Sequence, residues 1–341
     1  MQVEILAAPD PACDEFVRGR PDGRLCFLPG WSAMVEREFG HESFYLVARD
    51  GGAVRGVLPL IHVRTLLFGS HMVSQAFVDY GGPLAETDAA RDALFARAVE
   101  LAGREGCQDI EFRNIQPMPY DLVCRTDKAS MWFPLAGDPE ALWRGFDAKV
   151  RNQVRKAEKS GLAAAGGGAE LVEEFYRVYT ARMRQLGTPC YSRRLMQGIL
   201  ETFPESSRIF VVRREGMTIG GGITTFLGRF AEMLYASTLI EYNSLCPNNL
   251  LYWEAIRHYC GAGARWFDFG RSTVGGGTHQ FKKQWGAQQV QLNYQYWVRP
   301  GTELSVASPD SPKYQWKVRM WKRLPPAVAD WLGPRISRGL P

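Results

Sequence analysis

One pattern is written into this chain twice. Residues 45–57 read YLVARDGGAVRGV and residues 210–222 read FVVRREGMTIGGG. Both are apolar runs that turn at an acid-Gly pair, Asp50-Gly51 or Glu215-Gly216, into a second run. Such a pair between apolar stretches is a strong hairpin signal, because the turn needs positive φ at its centre. In the second copy the meander continues, turning at Gly228-Arg229 into 230–237. A second unit follows each hairpin. Residues 94–113 (LFARAVELAGREGCQDIEFR) and 251–270 (LYWEAIRHYCGAGARWFDFG) each read as an amphipathic helix, a glycine stop at Gly106 or Gly263, and a short strand at 110–112 or 267–269. Matching units in matching order predict an α/β (α+β) protein with two mixed, largely antiparallel sheets flanked by helices and used in tandem. The expected division is a first domain over 1–137, a second over 138–300 that carries the active site, and a basic aromatic tail over 301–341.

Between the halves, 138–161 reads as one helix. Asp138 is a suitable N-cap with Pro139 behind it, and Leu142, Phe146, Val150, Val154 and Ala157 recur on one face. The small residues of 163–169 read as a flexible loop. A composition of 45% hydrophobic and 23% charged residues excludes disorder. The best apolar stretch, 57–68, is broken by Pro59, His62 and Arg64, far short of the ~20 residues a membrane span needs. No secretory signal is visible, and seven scattered cysteines without a C-x-x-C suggest reduced thiols, so a cytoplasmic protein is expected, at most peripheral to the inner membrane.

Several chemistries have no support. The chain lacks G-x-x-x-x-G-K-[ST], lacks G-x-G-x-x-G after a strand, and has five histidines without paired spacing, so no metal site is expected. The informative stretch is 241–286. Asn248 or Asn249 fits the N-cap of the helix that follows. Then come WFDFGRS, TVGGGT and HQFKKQWG. A strand ending at Asp268 and Gly270, then Arg271, then Gly275, Gly276 and Gly277 before a short helix with Lys282 and Lys283, is the makings of an anion cradle.

The run F-D-F-G-R-S…G-G-G-T…F-K-K-Q-W-G, with R-N-Q-V-R-K-A-E-K-S-G at 151–161 and L-G-T-P at 186–189, resembles the FemAB family, in particular its branch associated with exosortase/PEP-CTERM protein sorting and exopolysaccharide loci. The resemblance implies tandem GNAT-like acyl-CoA N-acyltransferase domains. It implies transfer of an acyl or aminoacyl group, from acyl-CoA or aminoacyl-tRNA as a donor substrate, to an amine of a cell-envelope precursor, with no permanently bound cofactor. By the same resemblance Lys282 stands near the reacting carbonyl or donor phosphates, and Tyr176, Tyr179 and Arg182 stand where the family contacts substrate. The pattern departs in two places. No long coiled-coil insertion that would grip tRNA interrupts either half. The pyrophosphate loop R-x-x-G-x-[GA] is not completed at any R-x-x-G, Leu25, Glu42 and Thr218 holding the last position at three of them. The donor therefore stays open.

Amine acylation needs a base for the amine and positive charge or a donor for the developing oxyanion. Lys282, or the amides beside Gly275, Gly276 and Gly277, is expected at the oxyanion or phosphate. Asp268 is the expected base, or else the ion-pair partner of Arg271. Tyr235 and Tyr242 are the candidate acids for the leaving group. Arg151, Arg155 and Lys159 form an i, i+4, i+8 stripe suited to an anionic saccharide or nucleotide-sugar acceptor, or are simply a solvated face. The tail sets Trp316, Trp321 and Trp331 among Lys313, Lys317, Arg319, Lys322, Arg323, Arg335 and Arg338, as contact with an anionic membrane surface would require. A net charge of +5 over 341 residues argues against sequence-specific nucleic-acid binding. A catalytically silent module that binds an anionic glycan intermediate is the alternative to an enzyme.

Overall fold

The computed structural model describes residues 1–65, 69–304 and 312–340, apart from the side chains of 312–315. The end of the apolar stretch 57–68, the first part of the tail and the side chain of Lys313 lie outside the described residues.

In chain order the elements of the first half are β1 (Gln2–Ile5), α1 (Pro11–Gly19), α2 (Pro29–Phe39), β2 (Glu42–Asp50), β3 (Ala53–Thr65), β4 (Gly69–Val73), β5 (Leu84–Ala85), α3 (Asp88–Arg104), β6 (Asp109–Asn114), β7 (Val123–Arg125) and β8 (Lys128–Pro134). There follow α4 (Pro139–Gly145), α5 (Ala148–Lys159), β9 (Leu162–Gly167), α6 (Val172–Leu186), α7 (Arg193–Thr202), β10 (Ser207–Arg214), β11 (Met217–Leu227), β12 (Phe230–Thr238), α8 (Pro247–Gly261), β13 (Trp266–Thr273), α9 (Gly277–Gln284), β14 (Gln288–Gln291), β15 (Asn293–Val298), α10 (Pro312–Lys322) and α11 (Pro326–Ser337).

The duplication is real in three dimensions. β2–β3 and β10–β11 are antiparallel hairpins. Their turn residues, Gly51-Gly52 and Glu215-Gly216, all lie at positive φ, as the twist of a tight hairpin demands. α3 and α8 precede the matching strands β6 and β13, which run parallel to β4 and β12.

Two mixed sheets result, in the orders β1-β2-β3-β4-β6-β15-β7, with β5 beside β3, and β14-β8-β13-β12-β11-β10-β9. They do not divide at 137 and 138. β8 precedes that point yet belongs to the second sheet, between β13 and β14, and β15 lies before residue 300 yet inserts into the first sheet between β6 and β7. Each half lends the other a strand, because β6 and β13 are each left with an open edge once their parallel partner is placed, and an open edge exposes unpaired backbone groups.

Three local expectations change. The helix over 138–161 breaks at Phe146, where the Asp147 side chain accepts from Lys149 N–H and starts α5 afresh. The small residues after 161 form an edge strand, β9, paired to β10 rather than a loop. The end residues 312–340 are two helices packed on the body: Ser337 Oγ donates to Cys190 O at 2.8 Å, and His41 Nε2 meets Arg338 O at 2.7 Å. Among the described residues no helix is long and apolar enough to cross a membrane.

Candidate active site

The site forms where the second sheet splits. β12 and β13 pair only over Phe230–Trp266, Ala231–Phe267 and Glu232–Asp268, then diverge. Gly270 (φ 76°) puts a kink in β13 at this point, and its register against β8 shifts between Asp268 and Arg271. A cavity of about 320 Å³ opens in the gap. One side is Tyr252 of α8, Phe269, Thr278 and Lys282, and the other is Phe77, Asp79, Arg113, Tyr191 and Tyr235.

The first sheet splits in the same way after Val73 and Glu111, but there the gap is closed. Ser74 Oγ accepts from Arg113 N–H (2.9 Å), and Gly81 N–H donates to Arg113 O (3.0 Å). A Cβ on Gly81 would lie 1.4 Å from Ser74 O, so only glycine fits this return. The copies have diverged: one gap is plugged by its own loop and the other is open. That loop does double duty, since its residues 77–79 also wall the open cavity.

Lys282 is only 6% exposed. Its Nζ donates to Gly270 O (2.8 Å) and Arg271 O (3.0 Å), the carbonyls turned by the β13 kink. Burial, helped by the Arg271 charge and opposed by Asp79 and Asp268, lowers its pKa to about 8. Asp79 enters from the first domain. Its Oδ2 accepts from Arg271 N–H (2.8 Å), its Oδ1 pairs with Arg271 Nε (3.2 Å), and a quarter of its side chain stays exposed.

Asp268 does not pair with Arg271 and lies outside the lining of the cavity. It is fully buried and its oxygens are spent on Tyr80 Oη, Ser130 Oγ (2.6 Å), Gly270 N–H (2.8 Å) and, at 3.4 Å, Arg24 Nη1. Through Gly270 N–H it fixes the kink whose carbonyls hold Lys282. Arg24 reaches in from the first domain, ion-pairs with Glu232, and lies against the rings of Phe230, Tyr80 and Trp132. Burial beside Asp268 raises the Glu232 pKa to about 7 even with Arg24 in contact.

The other expected residues divide. Tyr235 lines the cavity, but its hydroxyl is committed to Phe77 O and burial holds its pKa well above the usual value. Tyr176 and Tyr179 stand one layer back: Tyr179 Oη accepts from Tyr191 N–H (3.2 Å) and Tyr176 Oη donates to Tyr191 O (3.2 Å), so they position the ring that reaches the cavity. Arg182 bonds to Gln185 and Tyr242 packs on the α8 side, neither in the lining. Gly275, Gly276 and Gly277 form the turn into α9 and do not wall the cavity, because the kink at Gly270 already brings the chain inward. Lys283 points outward and is exposed. Asn248 is not the cap of α8. Cys246, in the left-handed region, holds that place, Pro247 has no N–H, and Asn249 donates to Gln153 (3.2 Å). Arg151 and Arg155 lie outside the lining, with Arg155 over the Trp143 ring at 5.6 Å.

Asp79, Arg113, Tyr191 and Tyr252 were not legible as site residues. The one local signal is F-V-D-Y-G-G at 77–82, an acid held between apolar residues and a glycine pair. Its partner Arg271 is nearly two hundred positions away, and only the fold joins them.

Residues 144–283 match the family described as acetyltransferase (GNAT) domain. The second half of this chain has the GNAT fold. The match spans α5 to α9 and so contains both Lys282 and the split between β12 and β13. The solved structure of FemX superposes with a TM-score of 0.65 at 15% identity, covering 86% of this chain and 97% of that one. L-PGS from Bacillus licheniformis gives 0.56 at 12%, covering 93% and 98%. A tandem GNAT protein from the clavulanic acid biosynthesis pathway gives 0.52 at 14%, covering 89% and 99%. At these identities the likeness is one of fold, and it extends the tandem GNAT architecture over both halves of the chain. Comparison with curated protein sequences finds no match.

Proposed function

We propose that the GNAT domain transfers an acyl or aminoacyl group from acyl-CoA or aminoacyl-tRNA to an amine of an anionic saccharide or nucleotide-sugar precursor of the cell envelope or exopolysaccharide. The observation that carries this reading is a buried lysine aimed into the open split of a GNAT sheet. The F-D-F-G-R-S to F-K-K-Q-W-G run supports the FemAB-type reaction and its place beside exosortase-type sorting. Arg113 is paired with Glu111 and Arg271 with Asp79, whereas Lys282 Nζ is held by backbone carbonyls, which leaves its charge to favour a ligand that brings negative charge.

The chemistry follows from the geometry. The acceptor amine attacks the carrier's carbonyl carbon, and the oxygen gains charge as the centre becomes tetrahedral. The Lys282 ammonium stabilises it beside a wall of Phe77, Tyr252 and Phe269. Asp79 takes the amine's proton. The C–S or C–O bond to the carrier then breaks, Asp79 passes its proton to the departing sulfur or oxygen, and the carrier leaves as a thiol or a hydroxyl. Tyr235 shapes the wall. The amide-poor start of α8 offers little to a pyrophosphate, so both donor classes stay in the reading.

The test supplies purified protein with acyl-CoA or aminoacyl-tRNA and an amino-sugar nucleotide, and follows free thiol or deacylated tRNA. Asp79→Asn is expected to lower kcat by ~10²–10⁴-fold while donor KM stays near the wild-type value. Asp79→Asn turnover at the wild-type rate would remove Asp79 from the mechanism. Tight glycan binding without carrier release from either donor would favour the silent module.

A further inference from the structure

The end helices α10 and α11 have one face spent and one face free. α11 presses Ala329, Gly333 and Ser337 inward. A Cβ on Gly333 would lie 2.7 Å from Cys190 Sγ, and Ser337 is bonded to Cys190 O. α10 lays Val318 against Gly187 at the end of α6. At 100° per residue the opposite face of α10 carries Trp316, Met320 and Arg323, and that of α11 carries Trp331 and Arg335.

Those faces are unusual for this molecule. Trp316 is 60% exposed and Trp331 59%, and they are the exposed tryptophans among the described residues. Met320, Val328 and Leu186, at the end of α6 beside Gly187, are exposed as well. From residue 316 onward Lys317, Arg319, Lys322, Arg323, Arg335 and Arg338 face one acid, Asp330. Asp330 acts electrostatically on Tyr176 and Cys190, on the packed side of α11.

We infer that the outer face of α10 and α11 is a docking surface for an anionic lipid bilayer. Tryptophan rings settle at the headgroup level, Met320, Val328 and Leu186 enter the acyl boundary, and the lysines and arginines meet lipid phosphates. Aliphatic and thioether side chains beside the rings fit an acyl boundary better than stacked bases, which sets a bilayer ahead of RNA. The protein lies on the surface and does not span it, and the inner-face contacts keep the two helices in place as a rigid platform.

The test uses the full chain with vesicles of phosphatidylcholine alone, or with about a third phosphatidylglycerol. Co-sedimentation with the anionic vesicles, weakened by salt and accompanied by a blue shift of tryptophan emission, is expected. Trp316→Ser with Trp331→Ser is expected to weaken vesicle binding by about tenfold or more. Arg323→Glu with Arg335→Glu is expected to do the same and to erase the preference for anionic lipid. These side chains are exposed, and an unchanged circular-dichroism melt verifies folding. No binding to anionic vesicles, equal binding to neutral ones, or binding indifferent to both pairs overturns the inference. So does a tighter complex with RNA, or a self-association that the same substitutions abolish.

Discussion

Arg24→Met is expected to lower the free energy of unfolding by about 3–5 kcal/mol, the usual cost of stranding a buried charge, and the melting midpoint by roughly 10 °C. Arg24 is 1% exposed and is the cation between Glu232 and Asp268, both buried. Met fills much of the same volume against Phe230, Tyr80 and Trp132 but leaves two carboxylates with no counter-charge. The sign with pH follows from Glu232. Its folded pKa, raised to about 7 from 4.5, means that the native state holds this proton more tightly. Its contribution to stability is therefore greatest below pH 4.5 and is lost as pH climbs towards 7. The Arg24→Met defect should shrink at acid pH, and adding Glu232→Gln should recover part of it at pH 7. A chemical-denaturation series measures all of this. An Arg24→Met protein as stable as wild type at pH 7 would mean that the knot between the domains contributes little.

The second large effect is on turnover. Lys282→Met is expected to lower kcat by ~10²–10³-fold, as losing one oxyanion donor does. It should leave the melting midpoint unchanged or raised. A fall in pKa from 10.5 to about 8 corresponds to roughly 3 kcal/mol spent on keeping the ammonium buried at neutral pH. That penalty is complete below pH 8 and is relieved as pH rises from about 8 towards 10.5, so wild-type stability gains from this group over that interval. Activity runs the other way, declining above about pH 8 as Lys282 loses its charge, and the Met variant lacks that limb. Steady-state rates and melts across pH separate the two. Normal turnover in Lys282→Met would remove the residue from the chemistry.

Much of the architecture was legible because it is local. The two hairpins announce themselves by acid-Gly or Gly-Gly turns, and the helix-strand units by glycine stops. Lys282 was legible as well, since its motif surrounds it. The exchange of β8 and β15 was not, because a strand's sequence shows its faces but not which open edge it will pair with. The surroundings of Asp268 were hidden for a similar reason. An acid at a strand end looks like a base until Arg24, Tyr80 and Ser130 arrive from distant segments and take up its lone pairs. Asp79 is the converse case, an acid on a loop of the wrong half that the fold carries to the active split.

Lys282 lines the cavity that we propose the acyl carrier enters. Timed labelling with an amine-reactive reagent at pH 7.5, read residue by residue by mass spectrometry, tests it most directly. A lysine with a pKa near 8 has far more free amine at that pH than one near 10.5. Lys282 should therefore react faster than its limited exposure alone would allow, and an excess of donor should protect Lys282 and spare the exposed Lys283. Equal protection of both lysines, or none at Lys282, would mean that the carrier does not enter beside Lys282.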